Sequence, residues 1–356
     1  MTENVVVIGG GYAGVLAANR LARDSRTAVT LINPRPSFVE RIRLHQLVAG
    51  THPASTGFDR VLSPKVRLLV DTATRIDAPG RAVELASGGA AEYDYLVYAI
   101  GSAGTPAPGA AYSIATWEDA QRLRAALHAT DGPVTVVGGG ATGVETAAEL
   151  AERGRTVTLV CGGVLNPYLH PSGRKVVAGQ LARLGVTVLE NVKVSSATAG
   201  AVQLADGGER PSAVTIWTTG FVVPDLAARS GLSTDAIGRL RTDDTLTSVD
   251  DSRVVAAGDC LVPSDRPFRM SCQAAGQLGR YAPRTVLARI GGRQPKPVSL
   301  YFAGQCLSLG RRSGLVQMSG LNDGARGWYL RGGAAARVKE FVCRGTVSQL
   351  TRGSRG

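Results

Sequence analysis

Six glycines carry the first chemistry legible in the chain. Gly9, Gly11 and Gly14 stand at G-x-G-x-x-G spacing directly after the apolar run 5–8, and Gly138, Gly140 and Gly143 repeat that spacing after residues 134–137. A strand, such a loop and a following helix make a cradle for a dinucleotide. The first glycine permits the tight turn, the second lets the backbone approach a pyrophosphate, and the third lets helix and strand pack closely. The phosphates then face the helix N-terminus, whose unpaired N–H groups and dipole favour an anion. Two cradles imply two dinucleotides, most simply a flavin that stays bound and a nicotinamide nucleotide that visits. On this reading the chain is an electron-transfer enzyme.

Other polar residues are placed to serve such cradles. Asn33 ends the second strand, nineteen residues beyond Gly14, where a carboxylate usually holds the ribose hydroxyls. Its amide can make one or two of those bonds, or only a turn before Pro34. In residues 34–51, Glu40, Arg41, Arg43, His45 and Gln46 lie between apolar positions, and Phe38, Ile42, Leu44, Leu47 and Val48 predict a helix. Its polar face lies either beside a cofactor or in solvent. Gly101 and Gly258-Asp259 each end an apolar strand. Gln273 and Gln277 are four apart on a helix that Ser271 can cap, so they share one side of it. Their amides donate and accept, which suits a carbonyl that becomes a hydroxyl on reduction, with capping and surface solvation as the alternative. After the second cradle the strand ends in Cys161-Gly162-Gly163, with neither an acid nor an arginine. The nearest bases are Arg155, Arg174 and Lys175, which leaves NADH and NADPH both open and predicts less than about a hundredfold discrimination between them.

The elements that must position these residues alternate. Strands are expected at 28–32, 66–70, 82–85 and 95–100, followed by a Pro- and Gly-rich linker through Gly109. A helix around 117–129, the second cradle, a strand at 156–160, a helix near 175–184, short strands at 186–189 and 201–204, and the run VTIWTTG ending at Gly220 come next. A strand at 253–257, the helix from Ser271, strands at 298–302 and 315–318, and a final helix from about Ala334 complete the chain.

Composition excludes several classes. With 44% hydrophobic and 19% charged residues, the 356-residue chain suits a globular protein of two or three domains. No run of eighteen apolar residues predicts a transmembrane helix, and no signal peptide precedes the first strand, so a cytoplasmic location is expected, with the inner face of the membrane as an extension of it. The five cysteines form no C-x-x-C pair and the four histidines no H-x-x-x-H, so no metal site is signalled. Residues 266–356 hold sixteen Lys and Arg against two acids, a charge of +14, whereas residues 1–265 carry −2. An acidic partner or an anionic membrane face could answer that field, or it is a solvated arginine-rich face. Nucleic acid is not expected, because no recognised motif and few stacking aromatics accompany the charge.

Five features in order, the first cradle, YDYLVYAIG ending at Gly101, the second cradle continued to Glu145, IWTTG and VVAAGD, resemble the two-dinucleotide-binding-domain flavoproteins of the pyridine-nucleotide disulfide reductase superfamily. Within it the chain is most similar to type II NADH dehydrogenases and apoptosis-inducing-factor-like FAD oxidoreductases. The resemblance implies that Gly9, Gly11 and Gly14 hold the FAD pyrophosphate, that Asp259 bonds the ribitol, and that Gly138, Gly140, Gly143 and Glu145 hold NADH or NADPH, the carboxylate near the nicotinamide. CQAAGQ, 272–277, looks like the A-Q-x-x-x-Q motif beside quinone and isoalloxazine. LHQLVAG, 44–50, resembles the L-Y-Q-V-A-T-G segment, which brings Arg43 and His45 toward the cofactor, and 308–317 resembles the G-R-R segment. The redox cysteine pair of disulfide reductases is absent, which argues against thiol substrates. About forty residues follow Arg312, fewer than the usual membrane-anchoring tail.

The expected fold is therefore α/β, two Rossmann-like domains with the second inserted in the first: FAD binding at 1–108 and 237–290, NAD(P)H binding at 109–236, and a small C-terminal α+β domain at 291–356. The expected activity moves hydride from NAD(P)H to FAD and electrons on to a quinone-like acceptor. The rivals are a flavoprotein acting on a small organic molecule or a carrier protein, and a flavin-bearing redox sensor.

Overall fold

The computed structural model describes residues 2–320 and 322–354. Two five-stranded parallel sheets and one antiparallel sheet form its frame. In the first sheet the strands lie in the order Val254–Ala256, Tyr95–Tyr98, Glu3–Ile8, Thr27–Asn33, Val66–Val70. Val5, Val6, Val7 and Ile8 of the central strand are buried without alternation, as a strand covered on both faces requires. The helix Tyr12–Leu21 packs on it, and Cys272–Ile290 packs tightly against that helix. A Cβ at Gly279 would stand 2.6 Å from the Ala13 carbonyl oxygen, so a side chain there would push the two helices apart.

The second parallel sheet runs Tyr112–Ser113, Val214–Trp217, Val134–Val137, Val157–Val160, Thr187–Leu189. All its strands fall in sequence between the fourth and fifth strands of the first sheet. Its crossover helix Ala141–Glu152 buries Val144, Ala147, Ala148 and Leu150. The third sheet, Gly304–Ser308, Gly314–Ser319, Ala325–Arg331, is antiparallel and is backed by the long helix Gly332–Ser354. The α/β class and the two Rossmann-like sheets expected from the glycine spacing are what the chain forms.

Two expectations need correcting. Residues 34–51 do not make one helix. Ser37–Val39 is a strand paired with Ser55–Gly57, and only a 3-10 turn, Arg41–Arg43, and the short helix Leu44–Val48 follow. The apolar spacing misled because Phe38 is buried in the core of the first sheet while Leu44, Leu47 and Val48 belong to the core of the second. Residues 298–302 are not a strand either. Among the described residues no strand pairs with them: Val298 N–H bonds the Asp244 carbonyl at 2.8 Å, and side chains hold Tyr301 and the two residues that follow the segment. Gln277 Nε2 donates to the Tyr301 carbonyl at 2.7 Å and its Oε1 accepts from Tyr301 N–H at 3.0 Å, while Gln273 does the same for Gly304 O at 2.7 Å and Ala303 N–H at 3.1 Å.

Candidate active site

The two cradles have the same construction. At Gly9, φ is +103° and a Cβ would meet the Ala99 carbonyl oxygen at 2.4 Å. At Gly14 it would meet the Gly9 carbonyl oxygen at 1.8 Å, whereas at Gly11 nothing lies within 4 Å. In the second cradle Gly138 has φ +123° with Thr218 Oγ1 at 2.4 Å, Gly143 meets the Gly138 carbonyl oxygen at 1.8 Å, and Gly140 has open space. So the first and third glycines stand where a neighbouring carbonyl or the Thr218 hydroxyl leaves no room for a side chain, while the second faces the room a pyrophosphate needs. Gly11 and Gly140 are also the N-caps of their helices, and neither cap is filled by a side chain. The donors there remain for an anion.

Around the first cradle, Asn33 is turned inward. Its Oδ1 accepts from the Gly10 N–H at 2.9 Å and its Nδ2 donates to the Arg35 carbonyl at 2.8 Å, which leaves one lone pair and one N–H for a ribose. Gly101, at φ +72°, and Gly258, at φ +92°, both turn where the backbone leaves a strand of the first sheet. Next to Gly258, Asp259 Oδ2 accepts from Ser102 Oγ at 2.9 Å, and Arg41 Nη1 holds both Ser102 Oγ, at 2.8 Å, and its carbonyl, at 2.7 Å. Burial raises the Asp259 pKa, and the Ser102 bond, Arg41 and the Ser271 N–H offset only part of that rise. Its Oδ1 is buried with no partner. An orphaned carboxylate oxygen beside the first cradle is what a hydroxylated cofactor chain would satisfy, and the residues present fit FAD. Ser271 caps the helix Cys272–Ile290 by accepting from Ala274 N–H at 3.2 Å, so the positive end of a 19-residue helix opens next to Asp259.

The third group lies where the second cradle's helix meets the C-terminal helix. Glu145, 7% exposed, accepts from the Ser308 N–H at 2.9 Å, and the same Oε1 pairs with Lys339 Nζ at 2.9 Å. Lys339 Nζ also donates to the Cys306 carbonyl at 3.1 Å. Ser308 Oγ lies 3.2 Å from Glu145 Oε1 and 3.3 Å from His45 Nε2. Burial alone would raise the Glu145 pKa, but Lys339, His45 and the Ser308 N–H outweigh it and leave it below the ordinary carboxyl range. Burial likewise works against the Lys339 ammonium, and Glu145 more than restores it, so its pKa is raised. His45 is pushed down to about 4, first by burial and then by Lys339, Arg311 and Arg43, against the pull of Glu145, and is neutral at pH 7. The result is a charged pair, a neutral imidazole and a hydroxyl in one nearly dry place.

The structure brings Glu145 and His45 together but gives Arg43 another task. Its guanidinium bonds Glu40 at 3.0 Å, Gln46 at 2.9 Å and both oxygens of Glu340 at 2.9 and 3.0 Å, while 2% exposed. Four of its five N–H groups are thus engaged, two within its own segment and two clamping Glu340 of the C-terminal helix. Gln277 uses both protons of its amide on Gln273 O and Tyr301 O. Gln273 keeps one free N–H. Lys339 and Ser102 escaped the sequence reading, and Ser308 entered it only as the first residue of the 308–317 segment. A signal for Lys339 existed: it falls at four-residue spacing between Ala335 and Cys343, two buried positions of the last helix.

Comparison with known proteins agrees with this geometry. The family model described as pyridine nucleotide-disulphide oxidoreductase matches residues 3–279. An NADH dehydrogenase-like protein of Mycobacterium tuberculosis is 32% identical over 78% of this chain and 78% of its own length. A type II NADH:quinone oxidoreductase of Haemophilus influenzae is 26% identical over 89% of this chain and 87% of its own. The structure of NDH2 from Plasmodium falciparum in complex with NADH superimposes with a TM-score of 0.84 at 16% identity, covering 99% of this chain and 97% of that one, a likeness of fold. With three-quarters of its length inside the family model and both cradles built as such proteins require, the chain belongs to the pyridine nucleotide-disulphide oxidoreductase family.

Proposed function

We propose that this flavoprotein oxidoreductase passes electrons from NADH or NADPH through FAD to a quinone-type acceptor. The observation that carries the reading is the buried Lys339–Glu145 pair, set between the second cradle's helix and the C-terminal sheet. FAD, when bound, would supply two-electron chemistry between the nicotinamide hydride and a quinone that gains two protons to become the quinol. The protein's part is holding and charge. Gly9, Gly11, Gly14 and Asp259 hold FAD, and Gly138, Gly140 and Gly143 hold the visiting nucleotide. Lys339, with a third N–H beyond its two bonds, stabilises negative charge arising at the site, and the helix opening at Ser271 adds about 0.3–2 kcal/mol in the same sense. Glu145 keeps that ammonium charged and in place. Gln273 offers its free N–H to the acceptor, and Gln277 positions Tyr301 beside it.

Among the described residues no helix is long and apolar enough to cross a membrane. The basic C-terminal segment instead suits peripheral contact with an anionic membrane face, a reading supported by the charge of residues 266–356 and by an exposed aromatic surface there. The acceptor reading is tested by anaerobic stopped flow on the FAD-loaded protein. Reoxidation by a soluble quinone should exceed ~1 s⁻¹, the lower end of common turnover. Lys339→Gln should slow that half-reaction at least about tenfold while FAD content stays stoichiometric. Reduced protein that no quinone reoxidises at that rate would favour a redox sensor.

A further inference from the structure

We propose that Glu190, one strand away from the usual position, is the residue that reads the 2′ position of the visiting nucleotide and makes the enzyme prefer NADH. The inference rests on the second cradle's being the nucleotide site. In such cradles the adenosine ribose lies over the end of the strand after the glycine loop. Here that strand, Val157–Val160, ends in Cys161, which cannot serve: it is 1% exposed and its Sγ packs into the loop, 2.6 Å from where a Cβ of Gly139 would stand.

The neighbouring strand supplies what Cys161 lacks. Thr187–Leu189 runs parallel with Leu189 opposite Val160, so the next residue, Glu190, stands level with Cys161, about 4.8 Å away across the sheet. The backbone then folds back over the loop, Asn191 N–H bonding the Gly163 carbonyl at 2.9 Å and Val192 N–H the Cys161 carbonyl at 3.0 Å. Glu190 is exposed, and its Oε1 accepts from the Leu165 N–H, which fixes a carboxylate at the rim of the 161–165 loop. A 2′-phosphate brought there meets a fixed negative charge well within the Debye length, whereas a 2′-hydroxyl meets an acceptor.

The bases do not reverse this sign. Arg155 is turned to the opposite end of the sheet, bonding the Leu127 and Gly132 carbonyls at 3.2 Å. Arg174 and Lys175 lie in the first turn of a helix whose start is tied to the C-terminal sheet, through His170 N–H to Gln317 at 2.9 Å and Ser172 to Gly327 at 3.3 Å. Lys193 is near Gly162 but is exposed and, among the described residues, makes no ion pair, so its charge is well screened.

The test is equilibrium binding of NAD⁺ and NADP⁺ to the FAD-loaded protein by calorimetry, without turnover. Wild type should bind NAD⁺ about tenfold more tightly or better, and the ratio should shrink as salt is raised. Glu190→Gln keeps an oxygen for the Leu165 N–H but loses the charge, and should bring the two affinities to within about threefold by tightening NADP⁺. Lys193→Ala should leave the preference for NAD⁺ intact or widen it. A Glu190→Gln ratio unchanged from wild type, or a wild-type ratio indifferent to salt, overturns the assignment to Glu190 alone. Failure of wild type to bind either nucleotide would instead overturn the reading of the second cradle.

Discussion

Within one cradle, glycines of identical type have opposite physical jobs. Gly14 sits where an added Cβ would lie 1.8 Å from a carbonyl oxygen, so any side chain there separates helix from strand. Gly11 has nothing within 4 Å, so a side chain there fits the apoprotein and obstructs only what the loop is shaped to admit. Gly11→Val should therefore lose bound FAD while keeping far-UV circular dichroism and most of the fold's own stability, whereas Gly14→Ala should lower Tm even with cofactor withheld. Flavin-to-protein absorbance ratios and thermal melts of both variants check this. Stoichiometric FAD in Gly11→Val would remove the first cradle as its site. Asp259 makes the same point for a carboxylate, since its free, buried Oδ1 has a structural cost unless the cofactor satisfies it.

The C-terminal helix, Gly332–Ser354, joins the two halves of the site through charge on neighbouring residues. Lys339 reaches Glu145 in the second domain and Glu340 reaches Arg43 in the segment after the first cradle. Glu340 also pairs with Arg311 and Arg344, and its carboxyl falls to about 2, first because of the bond from Arg43. Removing one partner of a buried pair leaves the other uncompensated, at about 3–5 kcal/mol when both are buried. Glu340 is 27% exposed on its side chain, so the cost of Glu340→Ala should fall at or below the lower end. Hydrogen exchange should quicken across 332–350 and Tm should drop, with Lys339 losing its place and quinone reduction slowing in step. A helix as protected as in wild type would show that apolar packing by Ala335, Cys343 and Leu350 suffices. Legibility differed between elements for a physical reason. Both cradles could be read because their strand, loop and helix are consecutive and each glycine answers a local steric demand. Residues 298–302 could not, because distant Gln277 takes up both backbone groups of Tyr301 that a neighbouring strand would otherwise pair. Arg43's bond to Glu340, almost three hundred residues away, could not be read either, because nothing within its own segment announces that partner.

Over the whole molecule the charge is divided more sharply than the folds are. The two acids after residue 265 are both engaged, Asp323 with Arg269 at 3.2 Å and Glu340 with three arginines, while among the described residues Arg326, Arg331 and Arg337 make no ion pair. The same segment exposes Trp328 at 64% and Phe341 at 75%, and Tyr301, Met318, Ser319, Arg326 and Trp328 line an open hollow of about 300 Å³ on the C-terminal sheet. Aromatic rings and unpaired guanidinium groups together suit the headgroup layer of an anionic bilayer, where each basic residue near the surface contributes about 1 kcal/mol and Trp sits with its ring at the interface. An acidic protein partner would use the charges without needing the rings. The FAD-loaded protein should therefore cosediment with vesicles rich in phosphatidylglycerol and much less with phosphatidylcholine alone. Replacing Arg326, Arg331 and Arg337 by Ser should weaken that binding by roughly a hundredfold, corresponding to about 3 kcal/mol. Trp328→Ala should weaken it even at high salt, because the contribution of a buried ring is not screened. Equal partitioning onto both kinds of vesicle, or binding indifferent to Trp328, would leave the basic field to an acidic protein partner.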